Sequence, residues 1–437
     1  MLVKAVSSGP LLSLAVVVLL SVRPFELAAH NAYVATTGSD TNPGTEASPY
    51  RTIRKALENV GAGDTVYIRG GVYDEFVRAR TQRVPSGTSW DNAVTVRGYP
   101  GETVRLRHTG ANQGLILLNG NQYTIWKDLI LDAGATAFSQ DDAEFANTIG
   151  LFNGSNYNRF ENIEVVGSVG TGVDVSGAYQ GNPDNHHNEF INLRVHDGAR
   201  SNRGHGFYIR GNYNLVDGCE VYNYTNTPGG GVSNSTGIAV YDDGGAVTGN
   251  IVRNCRIHDN RAAFFMGSGP DNMAYNNLIY DNAHLAVEIG YSTARRIGFF
   301  NNTVVGHPDA HAVTIHEGSQ DTQVVNNIFW GNAANDVRDL GSGTTSHTNL
   351  SADPGFVDAQ SKDFRLAAGS RAIDAGVTLP EVPVDMNGVA RPQGAAADIG
   401  AIEYGEASRE PSQGRARAGV VTVVVFVLVL VRLSLLQ

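Results

Sequence analysis

Short apolar stretches with a period of two recur along the chain, and each alternates with a second phrase that usually opens on asparagine. Examples of the first kind are GVDVSG ending at Gly177, GFYIRG ending at Gly211 and AVTIHEG ending at Gly318. The phrases of the second kind, such as NIEVVG and NLRVHD, begin at Asn162, Asn192, Asn254, Asn276, Asn301 and Asn326. Two related phrases, DLILDA and GCEVYN, begin at Asp128 and Gly218. A period of two predicts β-strands, so each repeat contains at least two short strands.

The spacing of the second phrase identifies the type of repeat. Steps between successive starts run from 22 to 36 residues, which is too variable for an array of helical hairpins. A unit of about 22 residues with turns of variable length is typical of a β-solenoid, in which each coil stacks on the previous one. Stacked parallel strands lie about 4.8 Å apart, so equivalent residues form ladders. We therefore expect the asparagine column to point inward at a bend, to pass amide bonds along the stack and to be mainly structural.

The composition agrees with a thin all-β solenoid. The 437 residues include 51 glycines, and 42% are hydrophobic but only 8% aromatic, which suits narrow coils filled by Val, Ile and Leu and joined by many turns. The net charge is -11, which argues against a basic stripe that neutralises phosphates. We therefore expect a soluble, exported, monomeric protein with no nucleic-acid partner.

Both ends of the chain have the composition of targeting segments. In residues 1–29, Lys4 precedes an apolar run and small residues close the segment at Ala29, as in a secretory signal peptide. Residues 405–437 contain a polar stretch and then GVVTVVVFVLVLV, which is typical of a linker and a C-terminal sorting or membrane-anchor segment. We therefore predict a secreted protein that is extracellular, at the cell surface or anchored to the cell envelope.

Cys219 and Cys255 are the only cysteines, and they occupy the same position in adjacent repeats. Neighbouring strands about 4.8 Å apart are within disulfide range. The alternative is a pair of stacked buried thiols that act as small apolar residues. The parallel side chains of a ladder favour the thiols.

Segments near both ends resemble a known family. Residues 33–75, YVATTGSDTNPGTEASPYRTIRKALENVGAGDTVYIRGGVYDE, resemble the N-terminal cap and first coil of right-handed parallel β-helix proteins of the pectate lyase-like superfamily, especially the alginate lyase and chondroitinase B group. The stretches ADPGFVDAQSKDFRLAAGSRAIDAG and DMNGVARPQGAAADIGAIEY are similar to the C-terminal region of bacterial surface β-helix proteins with a C-terminal anchor. The resemblance implies an all-β, right-handed parallel β-helix over residues 30–350 and an end region over residues 351–404. Residues 52–60 read as a short amphipathic helix that caps the open end of the core.

The resemblance also implies a carbohydrate groove along one face of the solenoid, lined by outward residues of the period-two stretches. We expect these apolar residues to point inward: Val173, Val175, Phe207, Ile209, Ile238, Val240, Val287, Ile289, Val313 and Ile315. Their alternates then point outward: Asp174, Ser176, Tyr208, Arg210, Ala239, Tyr241, Phe265, Gly267, Glu288, Gly290, Thr314 and His316. This mixture of acidic, aromatic and basic side chains exceeds what an inert solvated face requires.

Such a strip suits a lyase that cleaves a uronic-acid polysaccharide by β-elimination. The reaction needs a cation near the carboxylate, a base for the adjacent carbon-bound proton and an acid for the leaving oxygen. Arg210 is the candidate base or carboxylate clamp. The candidate proton carriers are Tyr208, Tyr241, His205 and His316. The candidate substrate-binding residues are Phe265, Glu288 and Asp174. The candidate calcium ligands are Asp174, Asp242 and Glu288.

The lysines depart from the family pattern. Alginate lyases and chondroitinase B of this fold use a lysine base paired with an arginine, but this chain has only Lys4, Lys55, Lys127 and Lys362. None of them falls in the middle of the predicted strip. This departure points away from a lysine-based mechanism.

Two other functions remain open. The first is a non-catalytic surface β-helix that binds glycans or acts as an adhesin; it predicts that Arg210, Tyr208, Tyr241 and Glu288 are spread along a flat strip, whereas an enzyme predicts that they converge in a groove. The second is an inverting glycoside hydrolase, which needs a pair of carboxylates. Asp242 and Glu288 fall two coils apart, about 10 Å, near the upper limit for such a pair.

Overall fold

The computed structural model describes residues 30–110, 114–134, 147–177, 184–199, 204–225, 235–241, 247–290, 293–309 and 311–405. The predicted leader, residues 1–29, and residues 406–437 of the predicted linker and anchor lie outside the described residues. Within the described ranges, no helix is long and apolar enough to cross a membrane.

The described residues form one α-helix, α1 (Ile53–Glu58), one turn of 3₁₀ helix (Trp90–Asn92) and 32 β-strands. The strands in chain order are β1 Asn31–Val34, β2 Thr65–Ile68, β3 Gly71–Asp74, β4 Val77–Arg78, β5 Val94–Gly98, β6 Val104–Arg107, β7 Ile116–Asn119, β8 Thr124–Asp132, β9 Ile149–Phe152, β10 Arg159–Val166, β11 Val173–Val175, β12 Glu189–Ile191, β13 Arg194–His196, β14 Phe207–Ile209, β15 Leu215–Asp217, β16 Glu220–Tyr222, β17 Thr236–Val240, β18 Ile251–Arg253, β19 Arg256–His258, β20 Ala262–Met266, β21 Met273–Tyr275, β22 Leu278–Tyr280, β23 Leu285–Ile289, β24 Gly298–Phe300, β25 Thr303–Val305, β26 His311–Ile315, β27 Gln323–Val325, β28 Ile328–Trp330, β29 Ala334–Asp339, β30 Thr345–His347, β31 Phe356–Asp358 and β32 Asp363–Leu366.

The strands stack into a parallel β-helix with two long faces. Ten strands form one parallel sheet in the order β29-β26-β23-β20-β17-β14-β11-β9-β7-β4. A second sheet of 20 strands contains the rest of the coils, and β31 and β32 form a separate antiparallel pair. Between β14 and β25, each coil contributes one strand to the first sheet and two to the second. The prediction of at least two strands per coil is confirmed, and the actual number in these coils is three.

Apolar side chains fill the interior of the coils, and α1 closes one end. Thr52 caps the helix by accepting a hydrogen bond from the Lys55 backbone N–H, and Ile53, Ala56 and Leu57 are buried. These three residues belong to the same hydrophobic cluster as the strand residues of the first coils. The predicted capping helix is therefore confirmed.

The asparagine column lies at the bend between the two strands of the larger sheet, but it does not point inward. The residues in left-handed conformation, with φ between 48° and 60°, are Asn162, Asn192, Asn254, Asn276, Asn301 and Asn326. Gly218 takes the same position with φ 67°, which explains why glycine substitutes for asparagine there. Asn162 and Asn192 are exposed, and the Asn192 amide donates to Oδ1 of Asn162 over 2.7 Å. The expected amide ladder is present, but the expected inward direction is wrong because the bend requires a left-handed residue.

The inward amide ladder is formed by the residues that follow this column. The backbone N–H of Asn277 donates to Oδ1 of Asn302 over 3.0 Å, and that of Asn302 donates to Oδ1 of Asn327 over 2.8 Å. The side-chain amides repeat the same steps at 2.9 and 3.1 Å. Cys255 occupies this column one rung earlier, since its N–H donates to Oδ1 of Asn277. Both cysteines are buried free thiols, as the ladder argument favours.

The C-terminal segment folds back over the last coils. The amides of Asn276, Asn301 and Asn326 donate to backbone carbonyls of this segment at 2.7–2.9 Å, so these three column residues are buried. Inside the segment, Arg391 and Glu403 form a buried ion pair at 2.6 Å. Residues 351–405 therefore cover the outside of the last coils of the larger sheet.

Candidate functional site

The outward side chains of the ten-stranded sheet form two parallel rows, which together we call the strip. The first row is set by strand register and contains Asp174, Tyr208, Ala239, Phe265, Glu288 and Thr314. The second row, two residues further along each coil, follows from the backbone hydrogen bonds and contains Ser176, Arg210, Tyr241, Gly267, Gly290 and His316. The ten apolar residues expected to point inward are all buried. The predicted inward and outward faces are therefore confirmed.

Asp174 and Arg210 form a nearly buried ion pair on the strip. Nη2 of Arg210 lies 2.8 and 2.9 Å from the two carboxylate oxygens, and the Asn147 amide donates to Oδ2 over 2.7 Å. The Asp174 side chain is 4% exposed and the Arg210 side chain 30%. Burial raises the pKa of Asp174, although the Arg210 charge and the hydrogen bonds oppose that rise. The pair fixes a guanidinium at the surface of the sheet.

Two rings accompany this guanidinium. Cζ of Arg210 lies 4.7 Å from the ring centroid of Tyr208, and the ring of His205 lies 4.8 Å from that of Tyr208. Burial, together with the positive charge of Arg210, lowers the pKa of His205 to about 4. His205 is therefore neutral at neutral pH, and its Nδ1 accepts from the Thr236 N–H over 3.3 Å, which places the proton on Nε2.

The remaining predicted residues lie further along the strip. Tyr241 and Phe265 contact each other, with ring centroids 5.2 Å apart. His316 hydrogen-bonds through Nε2 to the Glu288 carboxylate. A carboxylate that holds one nitrogen of an imidazole orients the other, as in many acid-base pairs.

The structure separates the predicted catalytic residues into two groups. Tyr208 and Glu288 are three strands apart, about 14 Å, and Arg210 and His316 are four strands apart, about 19 Å. We call Asn147, Asp174, His205, Tyr208 and Arg210 the Arg210 cluster. The His316–Glu288 pair is a second group, and Tyr241 and Phe265 lie between the two. Of the four residues expected to converge in an enzyme, Arg210 and Tyr208 lie together and Tyr241 is one strand further along. Glu288 lies two strands beyond Tyr241, so Glu288 does not join the other three.

Two of the three predicted calcium ligands, Asp174 and Glu288, lie far apart on the strip. Asp174 and Glu288 are four strands apart, about 19 Å, and Asp174 is already bonded to Arg210. Asp242 lies outside the described residues. Within the described ranges, no group of three His, Cys, Asp or Glu side chains is placed to hold a metal ion. Asp174 and Glu288 are therefore too far apart to share a calcium ion. The predicted inverting pair of Asp242 and Glu288 includes a residue outside the described ranges.

The lysines of the described ranges lie away from the strip. Lys55 belongs to α1, Lys127 pairs with Glu161 on the larger sheet, and Lys362 pairs with Asp281. The cation that the strip offers beside Tyr208 is an arginine. Asn147 was not among the predicted site residues, and its only signal in the sequence is its place two residues before β9 begins at Ile149.

Comparisons with known proteins agree with this architecture. The chain is 38% identical over 81 residues to pectate lyase PEL9 of Emericella nidulans, covering 18% of this chain and 19% of the relative. It is 29% identical over 226 residues to pectate lyase L of Paenibacillus polymyxa, covering 46% of each. It is 42% identical over 72 residues to the uncharacterized protein YwoF of Bacillus subtilis, covering 16% of this chain and 14% of the relative. The chain thus spans less than half the length of these curated relatives.

Solved structures match over a larger part of the chain. The crystal structure of pectate lyase Pel9A superposes with a TM-score of 0.62 at 14% identity, covering 86% of this chain and 96% of that one. The complex of XylC with xylose superposes with a TM-score of 0.52 at 13% identity, covering 73% and 75%. At these identities the likeness concerns the fold alone, and it confirms the parallel β-helix. The model of the Pel9A-like right-handed β-helix region matches residues 32–262, more than half of the chain, and the protein therefore belongs to the Pel9A-like β-helix family.

Proposed function

We propose that this protein is a polysaccharide lyase that cleaves a uronic-acid polymer by β-elimination, with the Arg210 cluster as its active site. The observation that carries the proposal is the nearly buried Asp174–Arg210 pair, which fixes a guanidinium beside Tyr208 and His205 on the outward face of the sheet. Ion pairs with a purely structural role are common in proteins. A buried carboxylate that orients a partly exposed arginine beside aromatic rings is nevertheless typical of a functional site. Two of the relatives named above are pectate lyases, which supports the same class of reaction.

Arg210 clamps the uronate carboxylate in this proposal. A guanidinium matches the geometry of a carboxylate and neutralises its charge, which makes the proton on the adjacent C5 more acidic. Asp174 holds the guanidinium in place and thereby acts as a positioning residue. Because both Asp174 oxygens lie within 2.9 Å of Nη2, the clamp is preorganised before substrate binds.

Tyr208 carries the proton. In this mechanism the phenolate oxygen of Tyr208, whose ring centroid lies 4.7 Å from Cζ of Arg210, accepts the proton from C5. The electron pair of that C–H bond forms the double bond between C4 and C5, and the bond from C4 to the bridging oxygen breaks. Tyr208 then returns the proton to the leaving oxygen, so the side chain ends as it began. His205, neutral and in ring contact with Tyr208, presents Nε2–H as a hydrogen-bond donor at this centre.

The test is formation of an unsaturated uronate, followed by its ultraviolet absorbance, on pectate, alginate, chondroitin and heparan substrates. Each reaction is run with calcium and with chelator, since Asp242 was a predicted ligand and lies outside the described residues. Tyr208→Phe and Arg210→Ala should each lower kcat by at least about 100-fold, and Arg210→Lys should retain part of it. Arg194→Ala is the matched control, because Arg194 forms an exposed ion pair with Glu164 on the other sheet. Reducing ends without the absorbance would show hydrolysis and refute the elimination.

Glycan binding without catalysis is the second candidate. It is favoured by one observation, the separation of the Arg210 cluster from the His316–Glu288 pair by about four strands along the strip. Retention of an acidic polysaccharide with neither absorbance nor new reducing ends would establish this alternative. We also propose that the protein is exported, since a substrate polymer of this size lies outside the cell; cleavage near Ala29 in the secreted protein, read by N-terminal sequencing, tests this.

A further inference from the structure

A column of stacked rings runs along the corner where four successive coils enter the larger sheet. We call it the aromatic column, and its members are Tyr123, Tyr157, His187 and Tyr213. Each lies one or two residues before a strand, and these strands, β8, β10, β12 and β15, are neighbours in the sheet. Successive ring centroids lie 4.9, 5.0 and 5.2 Å apart, with interplanar angles of 5°, 24° and 27°. The corner therefore carries one ring on each coil.

The backbone of this corner does not select aromatic residues. All four members have a left-handed φ between 50° and 56°, which favours Gly, Asn and Asp and is unfavourable for a bulky tyrosine. The equivalent residues of the next four coils, matched through the backbone hydrogen bonds of the turn, are Gly249, Asp271, Arg296 and Asp321. Glycine or aspartate thus occupies three of these four corners. An unfavourable conformation that recurs at three tyrosines points to a function for the rings.

A cleft follows the side of the aromatic column. It has a volume of about 150 Å³, and its lining residues are Trp90, Tyr157, His187, Glu189, Tyr213 and Leu215. The ring of Trp90 stands edge-on to that of Tyr123, with centroids 5.6 Å apart. Tyr213 is 52% exposed. The cleft has the space of roughly five water molecules, which suits one sugar ring.

The charged groups of the cleft are balanced. Nε of Arg159 donates to the Glu189 carboxylate over 2.7 Å, and Cζ of Arg159 lies 4.6 Å from the ring centroid of Trp90. Burial and the neighbouring His186 lower the pKa of His187, so its ring is uncharged at neutral pH. The carboxylate accepts hydrogen bonds and the guanidinium donates them, as hydroxyl groups require. A balanced pair favours a neutral ligand over a charged one.

These groups together match the chemistry of a sugar. A pyranose lays its C–H face on an aromatic ring and makes hydrogen bonds through its hydroxyls. Tyr213 is accessible for this contact because the next corner is Gly249, where a Cβ would lie 2.5 Å from the tyrosine ring. Nucleic acid bases also stack on aromatic rings, but the net charge of -11 opposes a phosphate backbone.

We propose that the aromatic column and Trp90 form a non-catalytic binding site for neutral pyranose units of a polysaccharide. The site goes beyond the proposed function, because it lies at the corner of the larger sheet and its ligand carries no carboxylate. It retains the protein on a neutral glycan independently of the chemistry at Arg210.

The experiment measures binding of neutral hexasaccharides of glucose, xylose, mannose and galactose to the purified protein by calorimetry. At least one of them should bind saturably. Tyr213→Asn should weaken that binding about five- to tenfold, because a stacking surface is lost. Since asparagine accepts a φ of 53°, the urea midpoint of this variant should stay unchanged or rise. Trp90→Ala, at the other end of the cleft, should also weaken binding.

The matched control is Tyr67→Ala. Tyr67 stacks on Tyr33 elsewhere on the larger sheet, with centroids 5.3 Å apart, and its loss should leave sugar binding unchanged. Equal weakening by Tyr213→Asn and Tyr67→Ala, or no saturable binding of any of the four sugars, overturns the site.

Two further outcomes assign the column to another role. A Tyr213→Asn variant that binds sugar like the parent but unfolds at lower urea shows that the rings serve folding, and this overturns the proposal. Light scattering covers the remaining role. Dimers of the parent that dissociate in Tyr213→Asn, without any sugar binding, show a contact between two copies and overturn the sugar site.

Discussion

Loss of Arg210 should destabilise the protein more than loss of Asp174, although the two side chains share one ion pair. In Arg210→Ala, the Asp174 carboxylate, 4% exposed, keeps the Asn147 amide as a donor but loses its counter-charge. A buried charge left without its partner costs about 3–5 kcal/mol. In Asp174→Ala, the guanidinium is already 30% exposed and recovers hydration, so we expect about 1–2 kcal/mol.

The cost of Arg210→Ala should also depend on pH. Burial raises the pKa of Asp174 even with Arg210 in place, and removal of the guanidinium raises it further. A carboxyl whose folded-state pKa lies above its unfolded value binds more protons when folded, so stability falls as the pH rises above the unfolded value of about 3.8. The penalty should therefore be small near about pH 4 and reach its full size near neutral pH.

Urea unfolding followed by circular dichroism at acidic and neutral pH measures these free energies. The double variant of Asp174 and Arg210 should be more stable at neutral pH than Arg210→Ala, because it contains no orphaned charge. The control Arg194→Ala, whose side chain is 49% exposed, should cost about 0–1 kcal/mol. A pH-independent penalty for Arg210→Ala, or single effects that add in the double variant, would contradict the reasoning.

Three further predictions concern the scaffold. Burial lowers the pKa of His258, but hydrogen bonds to two carboxylates outweigh this effect, so the net pKa is raised. His258→Gln should therefore cost more stability below the unfolded pKa of about 6.5 than at alkaline pH. At alkaline pH the histidine has lost its proton and no longer contributes to stability. Asn302→Ala leaves the buried N–H of Asn277 without its acceptor and should cost about 2–4 kcal/mol in urea unfolding, whereas Asn254→Gly should cost less than about 1 kcal/mol because its φ is 56°. Cys219 and Cys255 are buried and should react with a thiol reagent only after unfolding; reaction in the folded state would refute their placement.

The sequence was informative where a repeat constrains the side chain. Inward positions such as Val175 and Ile209 follow from the period of two, because one face of each strand must fill the core. The same argument misplaced the asparagine column. A bend that demands φ near 55°, as at Asn192, selects Asn or Gly for the backbone conformation, whichever way the side chain points. Pattern alone does not distinguish that requirement from an inward amide ladder, which the next residue along provides at Asn277.

The candidate site was less predictable because outward positions carry no such constraint. Sequence spacing placed Asp174 and Arg210 on neighbouring coils, and the structure turns that adjacency into a nearly buried pair by adding Asn147 from the preceding coil. That third contact depends on the exact register of β9 against β11, which the loop lengths between the repeats conceal.

The arrangement of charge along the strip distinguishes enzyme from binding protein better than the fold does, since one fold supports both. A surface that only binds an anionic ligand gains from exposed cations and does not require a buried carboxylate beside them. Beside Arg210 the chain also buries the Asp174 carboxylate. Removing this charge from water costs free energy, and a surface that only retains a polysaccharide has no need to bury it. The buried Asp174 carboxylate fixes the orientation of the Arg210 guanidinium, which lies against Tyr208 before any ligand binds. Preorganisation of that kind lowers the barrier of a reaction and adds less to simple adhesion, so the Asp174–Arg210 pair favours catalysis over retention alone.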